Sequence, residues 1–242
     1  MRRARLRRLA PHALSALAAL SVCAPPPAAA DPVPASALPF TGDVGLGVST
    51  TLPAPRGART RVDAIPYLDI EAGRMFVRVD TFGLKTLALG DGTLDLVGQY
   101  RTDGYTGPGL ASRADAVPLG LGTLQVTPWG GVLVNALHDF GASRGQLFEA
   151  SYFPEFDFGP LSLNPEIGVE WQSANYTRYY FGANRAATSP VAGLLAQLQI
   201  SGPWYLTAYA HATWLDSGMR RGATTALRAR TFSDFVALSY RF

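Results

Sequence analysis

The sequence is poor in the features of an ordinary soluble domain. Cys23 is its only cysteine, so no intramolecular disulfide can staple it. Charged residues make up 16%, against about a quarter in soluble domains. Its three histidines have no Cys, Asp or Glu grouped with them at ligand spacing, so no metal centre and no cofactor is read. After residue 30 there is no run of about eighteen apolar residues, so no transmembrane helix is expected. Yet hydrophobic residues reach 48% and aromatics 11%. An apolar chain without an apolar helix fits a membrane β-barrel, whose greasy residues occupy alternate positions.

The first thirty residues stand apart. Arg2, Arg3, Arg5, Arg7 and Arg8 precede an apolar stretch, Ala13 to Ala24, and then PPPAAA. That is the layout of a secretory signal peptide cleaved near Ala30. The LSVC around Cys23 is similar to a lipoprotein box, but Val22 matches its small-residue position poorly. Taking those five arginines from the 21 basic residues leaves 16 against 18 acidic ones. A near-neutral mature chain gives no footing for nucleic-acid binding. Residues 31–41 then read as a periplasmic lead-in, and 42–242 as one barrel domain.

Period-two alternation carries the fold. In WYLTAYAHATW, Trp204, Leu206, Ala208, Ala210, Ala212 and Trp214 share one face, and Tyr205, Thr207, Tyr209, His211 and Thr213 the other. Tryptophans ten residues apart lie roughly 33 Å apart along a strand, and a tilt of about 40° leaves roughly 25 Å, the height of a barrel's apolar band. LSLNPEIGVEWQ sets Leu161, Leu163, Pro165, Ile167, Val169 and Trp171 against Ser162, Asn164, Glu166, Gly168, Glu170 and Gln172. TFSDFVALSYRF sets Phe232, Asp234, Val236, Leu238, Tyr240 and Phe242, a mostly greasy face, against Thr231, Ser233, Phe235, Ala237, Ser239 and Arg241. The expected fold is therefore all-β, a transmembrane antiparallel β-barrel of ten to twelve strands. Trp171, Trp204, Trp214, Tyr240 and Phe242 form its aromatic girdles against membrane lipid.

Strands are predicted over 42–52, 61–71, 73–89, 92–102, 113–127, 129–139, 145–157, 160–173, 191–201, 203–215 and 231–242. Single-chain bacterial barrels carry an even number of strands, which would be met if 73–89 split near Gly83. TPWGG, FGP and SGPW read as short turns, and 103–112, 140–144, 174–190 and 216–230 as longer loops.

Few motifs invite chemistry. GASRG, residues 141–145, matches G-x-S-x-G, but it links two strands with no helix after it. GLG at 45–47 lies inside a strand and lacks the rest of a dinucleotide fingerprint. His138 reads as a strand end. His211 points to the lumen, away from the lipid side on which outer-membrane lipases place their catalytic groups, so no enzymatic activity is read. Asp95, Glu149, Glu155, Asp157, Glu166, Glu170, Arg101 and Arg241 fall on the lumen face. They form either a salt-bridged plug filling a narrow barrel or the lining of a selective channel.

At PEIGVEWQSANYTRYYFGA, residues 165–183, the chain resembles the MipA/OmpV family of outer-membrane proteins. The matching positions are Pro165, Gly168, Trp171, Ser173, Tyr179, Tyr180 and Gly182; Ala183 stands where the family has valine. AIPYLDIEAGRMFVR, residues 64–78, is similar to the family's second and third strands. The chain departs from the family at Pro55-Arg56-Gly57 and at Asp216-Ser217-Gly218. The resemblance implies a non-enzymatic barrel in a Gram-negative outer membrane. Its name-giving member is a scaffold joining a murein hydrolase to a murein synthase in cell-wall growth, and others are linked to adhesion or solute uptake. On that resemblance a scaffold is the expected role, with a small-solute channel or an adhesin as the alternatives. Barrels of this kind end on an aromatic read by the outer-membrane assembly machinery, which Phe242 would supply.

Overall fold

Twelve strands are needed to explain how the alternating segments find partners. The computed structural model describes residues 40–242, so the expected signal peptide, Cys23 and nearly all of the lead-in lie outside the described residues. β1 (Thr41–Leu52), β2 (Arg61–Ala72), β3 (Met75–Arg78), β4 (Thr81–Leu89), β5 (Gly92–Gln99), β6 (Leu119–Thr127), β7 (Gly130–His138) and β8 (Gln146–Phe153) pair in sequence order. β9 (Phe156–Phe158) and β8 both pair with β10 (Leu161–Gln172) in one register, as two halves of one strand. β11 (Ala187–Ser201), β12 (Trp204–Trp214) and β13 (Arg230–Arg241) complete the circuit. β13 returns to β1 from Asp43 opposite Arg241 to Leu52 opposite Phe232, closing a twelve-stranded antiparallel barrel.

The break between β8 and β9 has a local cause. Extending the register from Ile167 opposite Tyr152 to Leu163 opposite Phe156 places Pro165 across from Pro154. Neither has an N–H, so the ladder loses both bonds at that pair. Outward side chains are predominantly greasy and open: Leu46 is 77% exposed, Val62 68% and Ile167 63%, with Asp234 a charged exception on β13. In water such a belt would be an aggregation surface; in lipid it is the apolar band.

Connections differ sharply between the two ends. Residues 73–74, 90–91, 128–129, 159–160 and 202–203 are two-residue turns at the end that also holds both barrel termini. The other end carries 53–60, 100–118, 139–145, 173–186 and 215–229, with a single tight turn at 79–80. Short turns mark the periplasmic side and long loops the outside.

Several boundaries move from the sequence expectation. The 73–89 segment does split, but at Val79-Asp80, where Val79 takes a left-handed φ of 56°, and not near Gly83. Gly83 lies within β4, where its missing Cβ makes room for the Phe76 ring. The 113–127 strand starts only at Leu119: Pro118 has no N–H to return the bond it accepts from Gln99, and beyond it 113–116 continues alongside 101–105 only as isolated bridges. β11 starts at Ala187, earlier than expected. Helix α1 (Ala174–Phe181) occupies the expected loop 174–190, and α2 (Ser217–Gly222) the loop 216–230. Both are too short for a helical period to register against the surrounding alternation.

Because β3 has only four residues, the outer half of β2 has a strand partner on the β1 side alone. Leu68 turns its carbonyl toward β3, accepting from the Val79 N–H at 2.7 Å, so Pro66 turns its missing N–H to the same side. No ladder bond is lost there. Side chains bridge this low wall instead: Arg61 grips Asp115 at 2.9 and 2.8 Å, and the Tyr100 hydroxyl donates to Asp115 at 2.6 Å.

Candidate functional site

The outer mouth is filled by its own loops. Tyr176 and Tyr180 of α1 and Met219 of α2 are essentially buried, packed with Phe181, Leu215 and Leu227. The same cluster takes in wall residues Phe76, Val97, Leu137 and Leu147, so the cap is wedged into the barrel. Large side chains buried this fully contribute about 1.5–3 kcal/mol each. Polar ties hold it. The Tyr176 hydroxyl donates to Asp103 at 2.6 Å, and burial pushes that phenol well above its ordinary pKa. Arg113 donates to the Tyr179 carbonyl at 2.9 Å and stacks 4.6 Å from the Tyr179 ring centre.

This geometry gives the signature residues local roles. Ser173 precedes α1 and its hydroxyl accepts from the Gln146 N–H at 2.8 Å. Gly182 ends the helix at φ 67°, a conformation that costs glycine no Cβ clash. Tyr179 and Tyr180 are cap residues. Gly168 faces the lumen, where a Cβ would collide with the Ser151 side chain. Pro165 stands at the β8–β9 break, and Trp171 faces outward opposite Phe148.

Beneath the cap an ionic cluster crosses the lumen. Arg101, just past β5, meets Glu149 on β8, Glu170 on β10 at 3.1 Å and Asp103 at 2.9 Å. Asn135 donates to Glu149 at 3.3 Å. A second cluster centres on Glu166, which accepts from Ser151 at 2.8 Å and Tyr209 at 2.6 Å and lies 3.2 Å from the His211 Nδ1. Ser151 gives its hydroxyl to the carboxylate, not to the imidazole, and His211 Nε2 faces Thr213 at 3.2 Å. A nucleophile needs its base beside it; this order supplies a cross-link instead. Tyr209, Phe235 and Tyr67 fill the space alongside, with ring centres 5.7 and 5.9 Å apart.

A third group sits at the periplasmic end. Arg241 clasps buried Asp43 at 2.6 and 2.8 Å, donates to Gln197 at 2.8 Å and stacks 3.8 Å over Tyr205. Asp95 is buried apart from all three groups, beside a cavity shared with Glu71, Arg78 and Lys85. Glu155 and Asp157 stand exposed near the 159–160 turn. The outward aromatics sit at the two ends of β12: Trp204 packs edge-on against Tyr240 at 5.4 Å, and Trp214 stands opposite Arg230. Phe242 is half exposed beside the same periplasmic rim.

The GASRG match is an Asp-capped turn. Asp139 accepts from the N–H groups of Gly141 at 2.8 Å and Ser143 at 3.1 Å, and from the Ser143 hydroxyl. Among the described residues no group of three or more His, Cys, Asp or Glu could hold a metal ion. Asp43, Glu71, Arg78 and Lys85 were not singled out from sequence. Counting every second residue back along β1 and β2 would have placed Asp43 and Glu71 on the lumen face.

Comparison with known proteins agrees in kind. The chain matches the family described as "MltA-interacting protein MipA" over residues 44–242. It is also similar to a protein of Escherichia coli K12 named "Putative outer membrane protein YiaT". The two are 27% identical over 164 residues, covering 64% of this chain and 67% of the relative. A counterpart of the same name in Escherichia coli O157:H7 aligns equally well.

Proposed function

Because this chain belongs to the MipA family, a membership that rests on a match from Val44 to Phe242, we propose that it is a non-catalytic outer-membrane scaffold. Its periplasmic end would gather cell-wall enzymes, a murein hydrolase and a murein synthase, in a Gram-negative envelope. The family's description names an interaction with MltA, and that partner class is carried to this chain as part of the proposal. We further propose that residues 1–30 are removed on export, and that Phe242 is read by the assembly machinery.

The observation that carries the reading is the blocked outer mouth. A solute would have to displace Tyr176, Tyr180 and Met219 and then pass the Arg101 cluster. A barrel sealed toward the outside has the periplasm as its working side. The same packing weakens the channel and adhesin alternatives, since the outer loops turn inward.

Two measurements separate the readings. Purified protein in planar bilayers is expected to show no steady openings; steady single-channel conductance would favour the channel. Immobilised barrel is expected to retain a murein hydrolase and a synthase from periplasmic extract. Recovery of neither would remove the scaffold.

A further inference from the structure

The seal is one-sided. At the periplasmic end a cavity of about 380 Å³ lies between β2, β3, β4, β5 and β6, lined by Glu71, Arg78, Lys85, Asp91, Thr93 and Asp95. Glu71 divides its two oxygens between two cations, Arg78 at 2.7 Å and Lys85 at 2.6 Å. Lys85 stands directly across from Asp95 in the strand register, yet it gives its ammonium to Glu71. Asp95 is only 3% exposed, and its Oδ1 is buried with no hydrogen-bond partner in the protein. A buried carboxylate oxygen without a donor is costly, and Asp95 lines the cavity, so a donor bound there lies beside this carboxylate.

The charges narrow what that donor can be. A divalent metal would meet Arg78 and Lys85, and the described residues offer it no ligand cluster. A simple amine would satisfy Asp95 but face the same two cations. A simple anion would find the cations and leave Asp95 unpaired. A molecule carrying both charges answers both needs, because each cation spends one bond on Glu71 and keeps further donors.

We propose that this cavity binds a small zwitterion, an amino acid or a dipeptide, taking its carboxylate on Arg78 and Lys85 and its ammonium on Asp95. The site opens to the periplasm and is independent of the scaffold reading. Failure of enzyme capture would leave it standing, and failure of zwitterion binding would leave the scaffold standing.

The test is calorimetry or saturation-transfer NMR on the intact barrel in detergent. The probes are L-alanine, L-alanyl-L-alanine, N-acetyl-L-alanine and L-alaninamide. Alanine or the dipeptide is expected to bind, and each blocked derivative to bind about tenfold or more weaker, as loss of one charge-assisted bond implies. The tighter of the two unblocked probes identifies the source as free amino acid or peptide. Asp95→Asn should weaken the preferred probe by a similar factor while keeping heat-modifiable gel mobility. If that variant does not fold, the blocked probes on the unaltered barrel decide. No binding by either unblocked probe, equal binding by the blocked ones, or a folded Asp95→Asn barrel that binds as before would overturn the proposal.

Discussion

Arg101→Met is expected to destabilise the barrel by about 3–5 kcal/mol, the usual cost of removing one partner from a buried ionic group. Glu149 and Glu170 face the lumen on neighbouring strands and stand opposite each other in the β8–β10 register. Without the guanidinium they, with Asp103, become three carboxylates crowded beneath a packed cap. Urea unfolding followed by tryptophan fluorescence, with heat-modifiable mobility as the folding check, reads the loss. The double variant Arg101→Met/Glu149→Gln should recover part of it, because one of the opposed charges is gone. A midpoint unchanged in the single variant would mean that the cluster is solvated and does not hold the lumen closed. Loss of stability without rescue would point to lost packing of the arginine stem.

This centre was only half legible in the sequence. Alternation assigns Glu149, Glu166, Glu170 and Arg241 to the lumen face, since a strand leaves each residue only two sides to choose from. It does not say which charges meet. Arg101 finds Glu149 and Glu170 because barrel closure brings β5, β8 and β10 around one narrow lumen, and closure is a property of the whole circuit. The cap was illegible for a different reason. α1 and α2 contain eight and six residues, and such short helices owe their existence to the mouth they fill. Their best sequence signals were local: Asp216, whose side chain accepts from the Met219 N–H at 2.6 Å, and Gly182 at the end of α1. The signature block was visible as a resemblance, but only the fold shows that Ser173, Tyr179, Tyr180 and Gly182 build a lid. Pro154 and Pro165 could each be read as strand breakers, yet their effect depends on the register that sets them opposite one another.

The seam between the first and last strands gives the second large effect. Asp43 and Arg241 are directly opposed in the β1–β13 register, and Phe242 exchanges backbone bonds with Gly42 at 3.1 and 3.5 Å. An unpaired strand edge in lipid costs several kcal/mol per backbone group, so this seam decides whether the barrel is a barrel. Arg241→Met removes the clasp and leaves buried Asp43 with only the Gln197 amide, at 3.3 Å, as a side-chain donor; because Arg241 itself is 43% exposed, the expected loss is about 1–3 kcal/mol. Phe242→Asp leaves the clasp intact and puts a charge beside Trp204 and Tyr240 at the rim. The two substitutions should therefore separate by assay. Arg241→Met should lower the urea midpoint of barrel refolded in detergent, where no cellular factor acts. Phe242→Asp should refold nearly normally there but yield far less heat-modifiable protein in cell outer membranes, with Phe242→Tyr close to the unaltered chain. Equal amounts of assembled Phe242→Asp and unaltered protein would reduce Phe242 to an ordinary rim aromatic. An unshifted midpoint for Arg241→Met would assign closure to the backbone ladder alone.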